Sequence, residues 1–157
     1  MSIWKKIGLF ILCLAVPLGV GAIAAWIIQP SQDIYNTLNL PAFAPPGWLF
    51  GVVWPILYTL MGISVFIIVM QEHQMKSRSV VIFLTQLFFN FLWPIAFFTW
   101  QLFLFSSVWL LVLIGLIALM IIDFYKTNKW AGILQVPYLL WSIFACILNF
   151  TIFFMNM

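Results

Sequence analysis

Three stripes of aromatic and amide side chains are where this sequence could do chemistry. Gln86, Asn90 and Trp93 recur at i, i+4 and i+7, the spacing of one helix face. Trp54, Tyr58 and Met61 repeat it, and Tyr138, Trp141, Ala145 and Asn149 form a third stripe. Indole and phenol faces make flat apolar walls, while amide and indole N–H groups supply a few directed hydrogen bonds. Together they suit a large, flat, mostly apolar ligand that stacks on the walls and is fixed along its polar edge. The same residues can instead knit helices together, since an amide away from water must find a partner. Spacing alone leaves both readings open.

The ionisable residues provide no rival site. Asp33, Glu72 and Asp123 lie in or beside gaps between apolar runs, so neither a carboxylate pair nor a Ser/His/Asp set can be assembled. His73, the sole histidine, has Glu72, Lys76 and Arg78 nearby and no second His or Cys at metal-ligand spacing, and it reads as a solvated loop residue. No metal or required cofactor is expected. Cys13 and Cys146 sit within apolar runs as small, unpaired side chains. Conventional acid–base enzymology is disfavoured.

The elements that must position the stripes follow from hydropathy. The chain has 157 residues, 66% hydrophobic and 6% charged, too apolar for a soluble domain of this length. Five apolar runs, 7–28, 47–70, 80–98, 102–122 and 133–154, are each roughly 20 residues long, enough for a helix to cross about 30 Å of hydrocarbon. Lys5, Lys6, Lys76, Arg78, Lys126 and Lys129 all fall in alternate gaps. Basic residues stay on the cytoplasmic side, which predicts an all-α membrane protein, one five-helix bundle with its N-terminus inside and its C-terminus outside. The basic residues are divided among three loops, so no groove for nucleic acid is expected. Lys5-Lys6 before an apolar run imitates a secretory signal, but the run is longer than a signal core and four more spans follow.

Within this frame the nine tryptophans divide. Trp4 and Trp130 suit the inner interface, and Trp26, Trp48 and Trp100 the outer one. From the outer helix ends, Trp54 and Trp109 lie roughly 10 Å deep, Trp93 roughly 8 Å and Trp141 roughly 20 Å. Three indoles therefore share a layer in the outer half, with Trp141 as a floor. The gap at 29–46 is the longest and holds Ile34, Tyr35, Leu38, Leu40 and Phe43, too many apolar groups for a solvated loop, and Pro41, Pro45 and Pro46 stiffen it. It is expected to fold over the outer end as a lid. Thr99-Trp100-Gln101 reads as a tight hairpin. Pro17, Pro55, Pro94 and Pro137 are expected to bend their helices. The small pairs Ala15/Gly19, Gly21/Ala25 and Gly47/Gly51 permit close helix contact, within one chain or in a homodimer.

The blocks Leu40-Pro41, Ala44-Pro45-Pro46-Gly47-Trp48, Val53-Trp54, Leu57-Tyr58 and Met61-Gly62 resemble the signature of the translocator protein family. Its members, also called tryptophan-rich sensory proteins (TspO/MBR), include the mitochondrial peripheral benzodiazepine receptor. Gln86-Leu87 with Asn90, Trp93 and Phe97-Phe98 is similar to the family's third span, and Pro137-Tyr138, Trp141, Phe144-Ala145 and Leu148-Asn149 to its fifth. The resemblance covers essentially the whole chain. It implies a five-helix bundle, often a homodimer, with a pocket beneath the first loop that binds porphyrins, haem-like tetrapyrroles and benzodiazepine-site ligands. Carried over by residue, it implies Trp54 and Trp141 as pocket tryptophans, Asn90 as a polar contact, Tyr58 as an aromatic wall, Tyr35 and Pro45 as lid contacts, and Ala145 as a small residue tuning pocket shape. Two departures stand out. Ile34 replaces a lid tryptophan, and residues 149–157 lack the Tyr and Arg of the animal cholesterol motif.

The expected site is therefore Trp54, Trp141, Asn90, Tyr58, Gln86, Trp93, Tyr35, Pro45 and Ala145, holding a tetrapyrrole by stacking and polar edges. His73 lies on the wrong side to ligate haem iron. The leading reading is a receptor-like binding and sensing protein of a bacterial inner membrane, with the mitochondrial outer membrane as the alternative location. Light-dependent porphyrin degradation, for which the resemblance implicates Trp54 and Trp141, needs no titratable group and remains an alternative. Transport of porphyrin or another lipophilic molecule is a second, without the inverted repeats of standard transporters.

Overall fold

A computed structural model describes all of residues 1–157. The helices are α1 (Ile3–Ile28), α2 (Ile34–Thr37), α3 (Gly47–Met70), α4 (Lys76–Pro94), α5 (Phe103–Thr127), α6 (Lys129–Ile133) and α7 (Val136–Met155). A 3-10 turn, Gln29–Ser31, follows α1, and a π-helical turn, Ile95–Thr99, extends α4. There are no strands, and five helical segments are long and apolar enough to span a membrane. One end of the bundle carries the segment 29–46 and is called the loop end here; the opposite end, with all six Lys and Arg residues, is the basic end.

Several helices run past the apolar runs that announced them. α1 starts at Ile3, where Ser2 Oγ accepts a hydrogen bond from the Lys5 amide at 3.4 Å. α4 takes in Lys76 and Arg78, and α5 continues through Asp123 and Lys126. Hydropathy marks only the part of a helix that must lie in hydrocarbon; long charged side chains at the ends reach water while their backbone stays helical. Pro137 does not bend a helix. It occupies the first turn of α7, where no backbone donor is lost to the helix. Pro94 sits where α4 gives way to the π-helical turn. The hairpin that follows is as tight as expected. Leu102 N–H donates to the Ala96 carbonyl at 3.0 Å, and Gln101 adopts a left-handed φ of 55°.

α1 packs along α3 and touches α4; α4 packs on α5, and α5 on α7. The α1–α3 contact depends on two glycines. A Cβ on Gly62 would lie 2.8 Å from the Cys13 carbonyl oxygen and the Leu14 Cα, and one on Gly21 would fall into the Tyr58 ring. At the basic end Ser64 Oγ–H donates to the Ala131 carbonyl at 2.6 Å, and Asp123 accepts from Ser79 Oγ–H at 2.5 Å while pairing with Arg78 at 3.6 Å. These bonds join α3 to α6 and α4 to α5.

The segment 29–46 does lie across the bundle end. Tyr35 is buried, edge-on to Phe50 at 5.5 Å, and its hydroxyl donates to the Pro45 carbonyl at 2.8 Å. Burial raises the Tyr35 phenol above its ordinary value, so it remains a donor. Ser31 and Thr99 hydroxyls meet at 3.1 Å. The Asn39 amide donates to Asn156 Oδ1, and Asn156 Nδ2 to the Asn39 carbonyl, both at 2.9 Å. The lid is thus fastened to α4, to itself and to the end of α7.

Gly62→Val is expected to destabilise the bundle by about 1–3 kcal/mol through overpacking against α1. Gly115→Ala, where added methyl meets open space, should leave it unchanged or slightly firmer. Thermal unfolding in detergent compares the two, and equal midpoints would refute the close α1–α3 approach.

Candidate functional site

A chain of buried hydrogen bonds crosses the middle of the bundle. Tyr58 of α3 donates its hydroxyl to Asn90 Oδ1 of α4 at 2.6 Å. Asn90 Nδ2 donates to the Tyr138 hydroxyl of α7 at 2.8 Å. Tyr138 donates in turn to Gln86 Oε1 at 2.8 Å, and Gln86 Nε2 faces Met61 Sδ at 3.9 Å. Each of these groups is buried. An unpaired amide here would cost several kcal/mol, because hydrocarbon supplies no partner. A second set ties α4, α5 and α7 together. Trp93 Nε1 donates to Asn149 Oδ1 at 2.9 Å, and Asn149 Nδ2 to the Phe103 carbonyl and Ser107 Oγ at 3.0 and 2.9 Å.

Toward the loop end, between α1, α3 and α4, lies a cavity of about 850 Å³. Its aromatic wall is Trp54, Tyr58, Trp93, Phe50 and Phe98, with Trp48 and Tyr35 toward the lid. The α1 side is shallow: Leu18, Gly21, Ala22, Ala24, Ala25 and Ile28. Asn90 lines the cavity, and Gln32, Asp33 and Asn36 of the lid border its mouth. The hollow exists because α1 and α3 touch closely at Gly62 and Gly21, while small α1 residues beyond Gly21 leave the facing aromatics without partners.

Trp54 is the hub of the wall. Its ring centroid lies 5.7 Å from Tyr58, 6.1 Å from Trp93 and 6.2 Å from Tyr138. The indole N–H of Trp93 is engaged by Asn149, whereas that of Trp54, a residue of the cavity lining, has no partner in the chain.

Of the nine residues expected from sequence, Trp54, Tyr58, Asn90, Trp93 and Tyr35 border the cavity together. Gln86 is fully buried one hydrogen bond further in, behind Tyr138. Pro45 contributes its carbonyl to Tyr35, and it is Pro46 that reaches the wall. Trp141 and Ala145 are not in the wall. Trp141 meets it only through Phe50, at 5.9 Å, and stacks at a tilt on Phe144 at 5.3 Å. Its buried N–H has no partner. Ala145 is buried in the core of α7. Depth along a helix placed Trp109 in the same layer, but it faces away. It stacks on Phe89 at 4.2 Å and donates to the Phe89 carbonyl at 2.8 Å, on the α4–α5 flank. Depth fixes a level in the bilayer and says nothing about azimuth. The five interfacial tryptophans, Trp4, Trp26, Trp48, Trp100 and Trp130, are all exposed. His73 is only half-exposed: it borders a separate polar crevice of about 410 Å³ at the basic end with Arg78, Asp123 and Lys126.

Sequence reasoning passed over Phe50 and the small face of α1. The signal for the latter was present in the small residues Gly21, Ala22, Ala24 and Ala25, of which only the pair Gly21/Ala25 was read, as a helix contact. Gly21 does make that contact, with Tyr58, whereas Ala22 and Ala25 face the hollow. Gly19 has open space about it.

The model of the TspO/MBR family matches residues 13–155. The tryptophan-rich protein TspO of Archaeoglobus fulgidus is 37% identical over 99% of both chains. The tryptophan-rich sensory protein of Cereibacter sphaeroides is 30% identical over 94% of this chain and 89% of its own. The human translocator protein is 31% identical over 75% of this chain and 72% of its own.

Tyr138→Phe keeps the ring but leaves Asn90 Nδ2 and Gln86 Oε1 unpartnered. A loss of about 1–3 kcal/mol is expected, since an orphaned buried group costs more than the bond contributes. Adding Gln86→Leu should recover part of it. Unfolding in mixed detergent measures both, and a Tyr138→Phe protein as stable as wild type would show that the chain is not coupled.

Proposed function

The chain belongs to the TspO/MBR family, and on that premise we propose that this integral membrane protein is a receptor-like binding module that takes a flat, largely apolar tetrapyrrole into the cavity beneath its lid. The observation that carries the reading is the cavity of about 850 Å³ walled by Trp54, Tyr58, Trp93 and Phe50. That volume lies in the range of small-molecule sites. Aromatic faces on the α3–α4 side and a shallow α1 side leave a slot for a planar ring, and Trp54 N–H is free to meet an acceptor on its edge. Synthetic ligands of the benzodiazepine class share this flat apolar character and fall under the same reading. Binding that alters how the lid is fastened would give such a module a sensing role.

Light-driven degradation of a bound porphyrin is the second reading, favoured by Trp54 standing in the wall among Tyr58, Trp93 and Tyr138. Phe50 interposed before Trp141 weighs against an equal part for both tryptophans. For orientation, we place the basic end in the cytoplasm and the protein in a bacterial inner membrane, since all six Lys and Arg residues share that end. A homodimer would use the open Ala15/Gly19 face of α1.

Protoporphyrin added to purified protein in the dark should quench tryptophan fluorescence saturably. Trp54→Phe should weaken binding about five-fold, the loss of one stacked indole, and Trp141→Phe should change it less than two-fold by the same reasoning. No saturable binding, or equal effects of the two variants, would overturn the proposed site. Repeating the titration in light separates the two functions: bleaching that requires Trp54 establishes degradation, and a stable spectrum establishes binding alone.

A further inference from the structure

The crevice at the basic end lies apart from the loop-end cavity and has a different lining. We propose that it seats the headgroup of one anionic phospholipid, a phosphodiester, with an acyl chain running along the exposed face of α5. The polar part is a hollow of about 410 Å³ between the turn after α3, the start of α4 and the end of α5. Arg78 and Lys126 supply its cations. Asp123 is also in the lining, but its carboxylate is already engaged: it accepts the Ser79 hydroxyl and faces Arg78 Nε at 3.6 Å. That pair leaves the rest of the guanidinium open, since the Arg78 side chain is 54% exposed against 11% for Asp123. Lys126 has no ion-pair partner, and Glu72 is the one unpaired acid in the lining. Across the whole basic end, six cations meet two carboxylates. Neutral donors complete the hollow. The opening amides of α4, between Met75 and Arg78, receive no side-chain cap. His73 Nε2 is screened from solvent and has no partner in the chain. Phosphodiester oxygens accept from guanidinium, ammonium and backbone N–H groups alike.

The hollow is continuous with apolar surface, which favours a lipid over a free anion. Leu119 and Ile122 of α5 line it and are 41% and 54% exposed. Following their face toward the loop end brings Gly115 and Val112 at helical spacing. Val112 is exposed, and a Cβ on Gly115 would meet nothing within 4 Å. The stripe therefore has a dent in which a methylene chain can lie against the backbone. From Ile122 to Val112 the helix rises about 15 Å. That is half of a hydrocarbon core about 30 Å thick, the reach of one acyl chain in one leaflet. A soluble phosphate would use the polar hollow and leave this groove bare.

The test titrates the full chain, delipidated in non-ionic detergent, with phosphatidylglycerol and phosphatidylcholine of identical acyl chains, and counts bound lipid by native mass spectrometry. One phosphatidylglycerol per chain should be held about ten-fold more tightly than phosphatidylcholine, the effect of two cations beside one phosphate. Lys126→Gln should weaken phosphatidylglycerol about five-fold. Glu72→Gln should strengthen it, and Lys6→Gln, a charge at the same end but outside the crevice, should change it less than about two-fold. Gly115→Leu fills the dent and should weaken both lipids while the unfolding midpoint holds. Trp54→Phe should have no effect, which separates this site from the loop-end cavity. Equal affinity for the two lipids, or equal losses in Lys126→Gln and Lys6→Gln, would overturn the proposal in favour of a diffuse surface charge. Displacement of the lipid by equimolar inorganic phosphate, or full affinity in Gly115→Leu, would overturn the lipid assignment and leave an anion site.

Discussion

Asn90 is a buried amide in the middle of a bundle of apolar helices, and the arrangement around it follows from its need for partners. Its oxygen and nitrogen are both engaged, by Tyr58 and by Tyr138. Because these partners come from α3 and α7, satisfying Asn90 sets the positions of three helices at once. Gln86 extends the requirement by one bond. In hydrocarbon, helices gain little from burying apolar surface against one another, so packing and directed polar bonds decide their arrangement. The two tyrosines satisfy the amides and also bring their rings to Trp54, at 5.7 and 6.2 Å. The network that holds the bundle is thus also the floor and back wall of the cavity.

The opposite wall has a different origin. α1 contributes no buried polar side chain and leans on α3 through glycine contacts. Near Gly62 the two backbones are as close as the chain allows, and at Gly21 the Tyr58 ring lies over a missing side chain. Past that point small residues continue along α1 while large aromatics continue along α3. Two helices with that asymmetry cannot fill the space between them, and the lid closes over what remains. Trp93, Asn149 and Ser107 keep α4, α5 and α7 packed on the far side, so the hollow forms on the α1 side.

The lid shows how a long loop can be ordered with little regular structure. Its apolar residues Ile34, Leu38, Leu40 and Ala44 pack against the core, and its polar groups bind backbone or side chains at Pro45, Thr99 and Asn156. The Asn39–Asn156 pair joins residues far apart in the chain by two reciprocal bonds, so the last turn of α7 helps to hold the cover of a cavity it does not line. Ile34, standing where many relatives of the family are expected to carry a lid tryptophan, is half-buried and packs against the edge of the core.

The amino-acid sequence by itself determined the all-helical class, the five spans, the lid and the exposed interfacial tryptophans, because each depends on local hydropathy, helix length or proline placement. It also named Trp54, Tyr58, Asn90, Trp93 and Tyr35, through helical spacing and the family's motifs. Tertiary structure alone decided which way each stripe turned. Trp109 shares a depth with Trp54 yet faces the α4–α5 flank, and Trp141 stands behind Phe50. Periodicity gives a residue's neighbours on its own helix, but rotation about the helix axis is set by partners on other helices. Here those partners are the amide network and the glycine contacts of α1, and no one-dimensional pattern records them.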